Sequence, residues 1–266
     1  MRLAGIYTVW DDWDLFTHSH KNIMPLVDGV IVVFSQTSNF GEDSKIKTVA
    51  IWGEGNHIFN FEPDLSLPPQ VNERNKRNFG LQKAKDMGFT HFIMLDADEF
   101  YEPQAFLNEK ERIFKGNIAG TVCRTQVYFA KPTLTIGLDT TLVPFIHKIT
   151  PDLHFTWNTR YPFAFEGPKR EIRIDPTRQL NITQGVEMSE IIMHHYSWIR
   201  KDYEKKIRNS TARANIERST IMNDLLQAKE GYFCEFYRKQ LAPSADLFNL
   251  CQIFPDQSPS TTEKAS

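Results

Sequence analysis

Thr90-His91-Phe92-Ile93-Met94-Leu95-Asp96-Ala97-Asp98-Glu99 decides how this chain is read. The first six residues form an apolar run that reads as a short buried strand. Three carboxylates follow it at once, and Asp96 and Asp98 are separated by a single alanine. Burying an unpaired carboxylate is costly, so such a pair calls for a cation or a solvated cleft. Hard divalent ions such as Mg²⁺ and Mn²⁺ take oxygen ligands and leave positions open for substrate phosphates. Asp96 and Asp98 are therefore candidate metal ligands beside a diphosphate. For an isolated pair, a solvated acidic turn is the competing account.

The context upstream favours the first account. From Asn72 to Gly88 the sequence reads as one helix, with Leu81, Ala84 and Met87 at helical spacing and Gly88 placed to end it. Arg74, Lys76 and Arg77 fall near the expected helix start, where a helix already favours anions. Helix and strand then run antiparallel, so the helix start and the strand end share a side. Cations and acidic motif can thus face one cleft. Lys76 is assigned instead to a solvated helix face.

Other strands fit the same plan. Leu3–Val9 and the β-branched run Val30–Phe34 are candidates, followed by Thr48–Trp52. Strands alternating with helices imply an α/β fold with a mainly parallel sheet. Ligands of such sheets bind beyond the carboxyl ends of the strands. Trp10-Asp11-Asp12, Ser35-Gln36-Thr37-Ser38-Asn39 and Asp96-Ala97-Asp98 lie there.

Arg77-Asn78-Phe79-Gly80-Leu81, Ala84, Gly88 and Phe92–Glu99 together resemble the core signature of GT-A-fold glycosyltransferases, in particular family-2-like ones with a D-x-D motif. The resemblance covers roughly residues 1 to 200 by order of elements. It implies a Rossmann-like, mainly parallel sheet flanked by helices. It also implies transfer of a sugar from a nucleotide-diphosphate sugar to an acceptor hydroxyl on a glycan or glycoconjugate, with Mn²⁺ or Mg²⁺ on the donor diphosphate. Under it, Tyr7, Thr8, Val9 and Trp10 hold the base and ribose, and Arg77 contacts the nucleotide. Asp96 and Asp98 hold the metal, Asp96 touching the donor as well. Many members carry an acidic residue after the second strand, where this chain has Ser35-Gln36-Thr37.

The second half adds an apolar strand, Ile191–Trp198, containing His194 and His195. Neighbouring strand residues point to opposite faces, so one imidazole faces a cleft. A neutral imidazole is a competent Mn²⁺ ligand. The family often supplies a late histidine as third ligand, and His195, just before Tyr196, is preferred to His194. Arg200 and Lys201 would neutralise the leaving diphosphate. An inverting transferase needs a carboxylate to take the acceptor proton. Glu166, after the aromatic stretch Tyr161–Phe165, is the candidate base, with Glu187 to Glu190 as competitors; a packed hairpin with an exposed Glu166 is the other account. A retaining enzyme would not need that base.

Composition is compatible. The chain has 266 residues, 41% of them hydrophobic, enough for a substantial core. A net charge of −2 gives no bulk attraction to nucleic acid. Three cysteines without ligand or redox spacing suit a reducing compartment. No run is long enough to span a bilayer, and no signal-peptide pattern opens the chain, so a cytoplasmic protein is expected, with peripheral membrane contact left open. The organisation expected is a GT-A domain over 1–200 (a nucleotide-sugar half to 103 and an acceptor half to 200), a helical extension over 201–253 and a disordered tail over 254–266. Two helices are expected in the extension, with Ile207, Ile216, Ile221 and Leu225 on one face. A nucleotidyltransferase is disfavoured because Tyr7–Asp12 lacks a Gly-rich, Arg-containing loop. A non-catalytic sugar- or protein-binding module on the same fold is the other alternative.

Overall fold

The computed structural model describes residues 2–11, 13–45, 56–157, 173–182, 184–211 and 217–254. The expected strand at Thr48–Trp52, the candidate base Glu166 with its aromatic stretch, Asp12, Ile216 and the tail beyond Phe254 lie outside the described residues. The chain divides into two compact units, one of residues 1–125 and 139–193, the other of residues 126–138 and 194–266.

The first unit is α/β. It contains β1 (Leu3–Val9), α1 (Trp13–Ile23), β2 (Gly29–Phe34), β3 (Asn56–Asn60), α2 (Pro69–Asp86), β4 (His91–Asp96), β5 (Glu99–Tyr101) and α3 (Pro103–Lys115). Parts of the long strands β6 (Gly120–Phe129), β7 (Lys131–Lys148) and β9 (Val186–Trp198) follow, with the short β8 (Arg173–Ile174) between the last two. The sheet runs β3-β2-β1-β4-β7-β6-β9-β5. Its first four strands are parallel, and β7 joins β4 antiparallel through His91–Lys148 and Phe92–His147. The fold class is thus the expected one, a Rossmann-like sheet flanked by helices. From β1 the chain moves outward through β2 and β3, whereas β4 lies on the other side of β1. The carboxyl ends of β1 and β4 therefore form the switch point of the sheet, where such folds bind ligands.

Alternation sorts the strand residues into two faces. Leu3, Tyr7, Val9, Val30, Val32, Phe34, Ile93 and Leu95 pack with α1 and α3 through Phe16, Ile23, Phe106 and Ile113. Ala4, Ile6, Ile31, Val33, Phe92 and Met94 pack on the opposite face with Leu81 and Ala84 of α2. Both faces being covered explains the nearly unbroken apolar runs of β1, β2 and β4.

Helix α2 starts three residues before the expected Asn72, because Pro69 sits in the first turn, where its fixed φ is already helical and no amide is missed. Arg74, Lys76 and Arg77 are consequently in the second and third turns, beyond the reach of the helix-end charge. Gly88, at φ +71, closes the helix where Phe89 N–H donates to Ala84 O at 3.0 Å. Gly80 has a different task. A Cβ there would lie 2.6 Å from Ile6 Cγ2 and 3.0 Å from Val33 Cγ2, so its hydrogen lets α2 settle onto β1 and β2. Asn78 ties α2 to a further segment: its Nδ2 donates to Phe155 O at 3.0 Å and its Oδ1 accepts from Phe155 N–H at 2.7 Å.

The second unit contains the hairpin between β6 and β7, the end of β9, helices α4 (Tyr203–Asn209) and α5 (Arg218–Gln227), and the two-residue strands β10 (Phe233–Cys234), β11 (Lys239–Gln240) and β12 (Ala242–Pro243). The hairpin turns at Ala130, at φ 62, and β7 runs on unbroken from Lys131 to Lys148. Ile207 and Ile221 are buried with Val127, Phe129 and Trp198, so the expected apolar helical face packs within its own unit. Asp224 is fully buried and accepts hydrogen bonds from Tyr232 OH at 2.9 Å and Phe236 N–H at 2.8 Å, fixing the turn beyond α5. Among the described residues no helix is long and apolar enough to cross a membrane.

Gly80→Ala should destabilise the protein by roughly 1–3 kcal/mol through overpacking, despite alanine's better helix propensity. Urea unfolding of the variant should show a lower midpoint; an unchanged or higher one would mean that α2 can move off the sheet at no cost.

Candidate functional site

Thr8 and Asp96 are register partners at the switch point, and Thr8 Oγ1 donates to Asp96 Oδ1 at 2.9 Å. Both belong to the face covered by α2. From that helix Arg77 reaches the same carboxylate with two donors, Nη1 to Oδ1 and Nη2 to Oδ2, each at 3.2 Å. Its Nη2 also pairs with Glu73, one turn earlier, at 2.8 Å.

A second guanidinium completes the arrangement. Arg178 ends a short turn, Pro176–Arg178, which Asp175 caps by accepting Thr177 N–H at 2.8 Å. Arg178 Nη2 donates to Asp96 Oδ2 at 2.5 Å and to Glu99 Oε1, while Nη1 donates to Glu99 Oε2 at 3.0 Å. Asp175 pairs with Arg178 Nε at 3.2 Å. Glu99 Oε2 also accepts the Asp96 backbone N–H at 3.1 Å, so the acidic motif folds back on itself around Arg178. Arg77, Arg178 and Glu99 are each at most 3% exposed along their side chains, against 32% for Asp96. Burial works against the charge on Asp96. The Arg178 and then the Arg77 guanidinium outweigh it and hold the carboxyl well below the usual carboxylate range.

Thr8, Arg77 and Asp96 are thus brought together. Asp98 follows on the same turn and is buried. Tyr7 and Val9 point to the opposite face: the Tyr7 ring packs edge-on against Phe16, and its hydroxyl is hydrogen-bonded to Ser19 Oγ at 2.8 Å. Val9 offers the site its carbonyl. Trp10 is half-buried in the turn after β1, and Asp11 there, at φ 49, accepts from Ser44 Oγ and Lys45 N–H. Arg74 stacks over the half-exposed Trp157, 4.2 Å from its ring centre.

Lys76 corrects its assignment to a solvated helix face. It is 6% exposed, and its Nζ donates to Val9 O at 2.7 Å. Its alkyl stem follows the helix inward to the strand ends, a path that a long side chain can take when a carbonyl receives its head. Arg178 and the structural part of Glu99 are absent from the residues expected from sequence. The one local signal is Asp175-Pro176, a turn-initiating pair that fixes where Arg178 starts.

His194 and His195 belong to the second unit. His194 is buried, its Nδ1 bonded to Tyr128 OH at 2.9 Å, and Tyr128 stacks on Tyr196 with ring centres 4.1 Å apart. His195, on the other face of β9, is half-buried. Arg200 Nε donates to Ser197 O at 2.7 Å. Among the described residues no group of three or more His, Cys, Asp or Glu side chains is placed to hold a metal ion.

No family model matches the chain, and no curated protein matches it. Solved structures with a similar chain path include S. aureus TarS 1-349, with a TM-score of 0.44 and 13% identity over 85% of this chain and 71% of that one. The same protein in complex with UDP matches over 48% of this chain and 36% of that one, with 14% identity and a TM-score of 0.35. A mannose-1-phosphate geranyltransferase from Thermus thermophilus matches with a TM-score of 0.29 and 11% identity, over 50% of this chain and 44% of that one. The likeness is one of α/β fold.

Arg178→Met should cost roughly 3–5 kcal/mol at neutral pH, because Glu99 and Asp96 would each lose a buried guanidinium partner. The sign with pH follows from the depressed Asp96. Its stabilisation is fully present above the unfolded carboxylate range and is lost below it, as pH falls towards the depressed folded value. The gap between wild type and variant, read from urea midpoints, should therefore hold from pH 7 to pH 5 and narrow below about pH 4. A gap that stays constant would mean that Arg178 acts by packing alone.

Proposed function

We propose that this chain is a glycosyltransferase that moves a sugar from a nucleotide-diphosphate sugar to an acceptor hydroxyl, with a divalent cation on the donor. The observation that carries the proposal is the placing of Thr8, Arg77 and the Asp96-Ala97-Asp98-Glu99 turn at the switch point of a parallel sheet. That is where such sheets take nucleotides, and the acidic motif stands on it.

The donor chemistry suits a cation on Asp98 better than on Asp96. Both Asp96 oxygens already face guanidiniums, which would repel a metal ion. A hard cation such as Mg²⁺ is commonly bound through one or two carboxylates with substrate phosphates and water filling the remaining positions. Asp98 would hold it, and the cation when bound would supply charge to the departing diphosphate. Asp96, clamped by two arginines, sets the position of the turn that carries Asp98. In the transfer, the bond between the anomeric carbon and the diphosphate oxygen breaks and its electron pair stays with the diphosphate. The acceptor oxygen forms the new bond, and in an inverting enzyme its proton passes to a carboxylate.

The guanidinium clamp also favours a second account, a binding module whose acidic motif is structural. The two differ in Asp98. In thermal unfolding with UDP, UDP-GlcNAc and other nucleoside diphosphates and nucleotide-sugars, one base should raise stability in a Mn²⁺-dependent way, by about 2.7 kcal/mol at a hundredfold excess over its dissociation constant. Asp98→Ala should abolish both the Mn²⁺-dependent shift and sugar turnover. Full turnover in Asp98→Ala would remove the metal from the proposal. A wild type that responds to no nucleotide would leave the binding module.

A further inference from the structure

Two buried polar groups at the carboxyl ends of β1 and β2 are short of partners. Lys76 has three donors, yet its one hydrogen bond among the described residues is to Val9 O, and it forms no ion pair there. Ser35 is 3% exposed, and its Oγ has no hydrogen-bond partner among the described residues. The two are neighbours through one carbonyl, since Val9 O accepts the Ser35 N–H at 3.1 Å as well as Lys76 Nζ at 2.7 Å. That Ser35 bond continues the β1–β2 ladder, so the backbone is still extended at residue 35. Ser35 therefore shares a face with Ile31 and Val33, the face covered by α2 and occupied by Thr8 and Asp96. Buried polar atoms are nearly always satisfied, and an orphaned hydroxyl beside an ammonium with donors to spare, at the mouth of a switch point, calls for an absent ligand.

We infer that Lys76 and Ser35 form a subsite for an anionic oxygen of the donor nucleotide, the ammonium supplying charge and the hydroxyl a hydrogen bond. This rests on the donor reading above and adds two residues to it. The sequence alone gives neither a binding role: it assigns Lys76 to solvent, and Ser35 occupies the place where an acidic residue would repel an anion.

The surroundings of Lys76 support the assignment. It faces Asp96 of β4, Glu73 and Arg77 of its own helix and Glu62 beyond β3. Burial pushes its ammonium down to about 7, the Asp96 carboxylate working the other way. Asp96 stays ionised in its clamp, and arginine does not titrate. Lys76 is thus half-charged near neutrality without a ligand, and an arriving anion draws a proton onto it. Binding should weaken as pH rises above 7. A nucleoside diphosphate has its last phosphate pKa near 6, so phosphate titration does not produce that slope at pH 8 to 9, and CDP and ADP carry no base proton that titrates there.

The test is isothermal titration of UDP, GDP, CDP and ADP in Mg²⁺ at pH 7, 8 and 9. Lys76→Met should raise Kd about tenfold or more at pH 7 and flatten the pH profile. Lys76→Arg should keep the affinity at pH 7 and hold it at pH 9, because its charge is permanent. Ser35→Ala should cost a few-fold at every pH. If Lys76→Met does not fold, the flat profile of Lys76→Arg and the loss in Ser35→Ala decide the matter. Equal affinities and slopes in wild type and folded variants overturn this subsite and leave the donor reading intact. A wild type that binds none of the four nucleotides overturns both.

Discussion

The buried guanidinium of Arg178, held by Asp96 on one side and Glu99 on the other, is the constraint on which the site depends. A guanidinium at 3% exposure is stable only if its donors are met, and carboxylates in low dielectric only if a cation meets them. Each supplies what the other lacks, and the planar fork does so with direction. The pairing joins the end of β4 to a turn far away in sequence. It thereby fixes the bend that carries Asp98. Arg77 adds a second cation from α2, so three separate elements converge on one carboxylate. The turn cannot drift without leaving charge unpaired.

Much of the first unit is legible in the sequence because its strands are covered on both faces. β1, β2 and β4 announce themselves as apolar runs, and β1 has the expected bounds at both ends. α2 announces itself by Leu81, Ala84 and the terminal Gly88. What escapes has physical reasons. Arg178 lies 82 residues from Asp96, and no local pattern marks a long-range ion pair. Taking Tyr7, Thr8, Val9 and Trp10 as one contact set overlooks alternation: in a strand, Thr8 and Tyr7 cannot share a face. Lys76 escapes because a charged residue in a polar helix face reads as solvated, whereas its head in fact reaches a strand-end carbonyl.

The run Arg77-Asn78-Phe79-Gly80, which carries the family resemblance, proves to be largely architectural. Arg77 neutralises Asp96, Asn78 clamps the backbone of Phe155, Phe79 packs against Phe59 and Phe61, and Gly80 admits β1 and β2 to close range. Any sheet that must seat a helix this closely, beside a buried acid, meets the same demands. The motif therefore speaks first for a way of building the switch point, and function has to be argued from what stands on it.

What stands on it is a set of committed charges. Among the described residues Glu73, Asp96, Glu99 and Asp175 pair with Arg77 and Arg178. The arginines are committed to these partners and have little field left for a ligand. Lys76, outside any ion pair among the described residues, holds its head at the β1 and β2 end with donors to spare. An anion arriving at the switch point would therefore draw on Lys76 rather than on the two guanidiniums, so the groups that build the site and the group that would meet a ligand are different side chains.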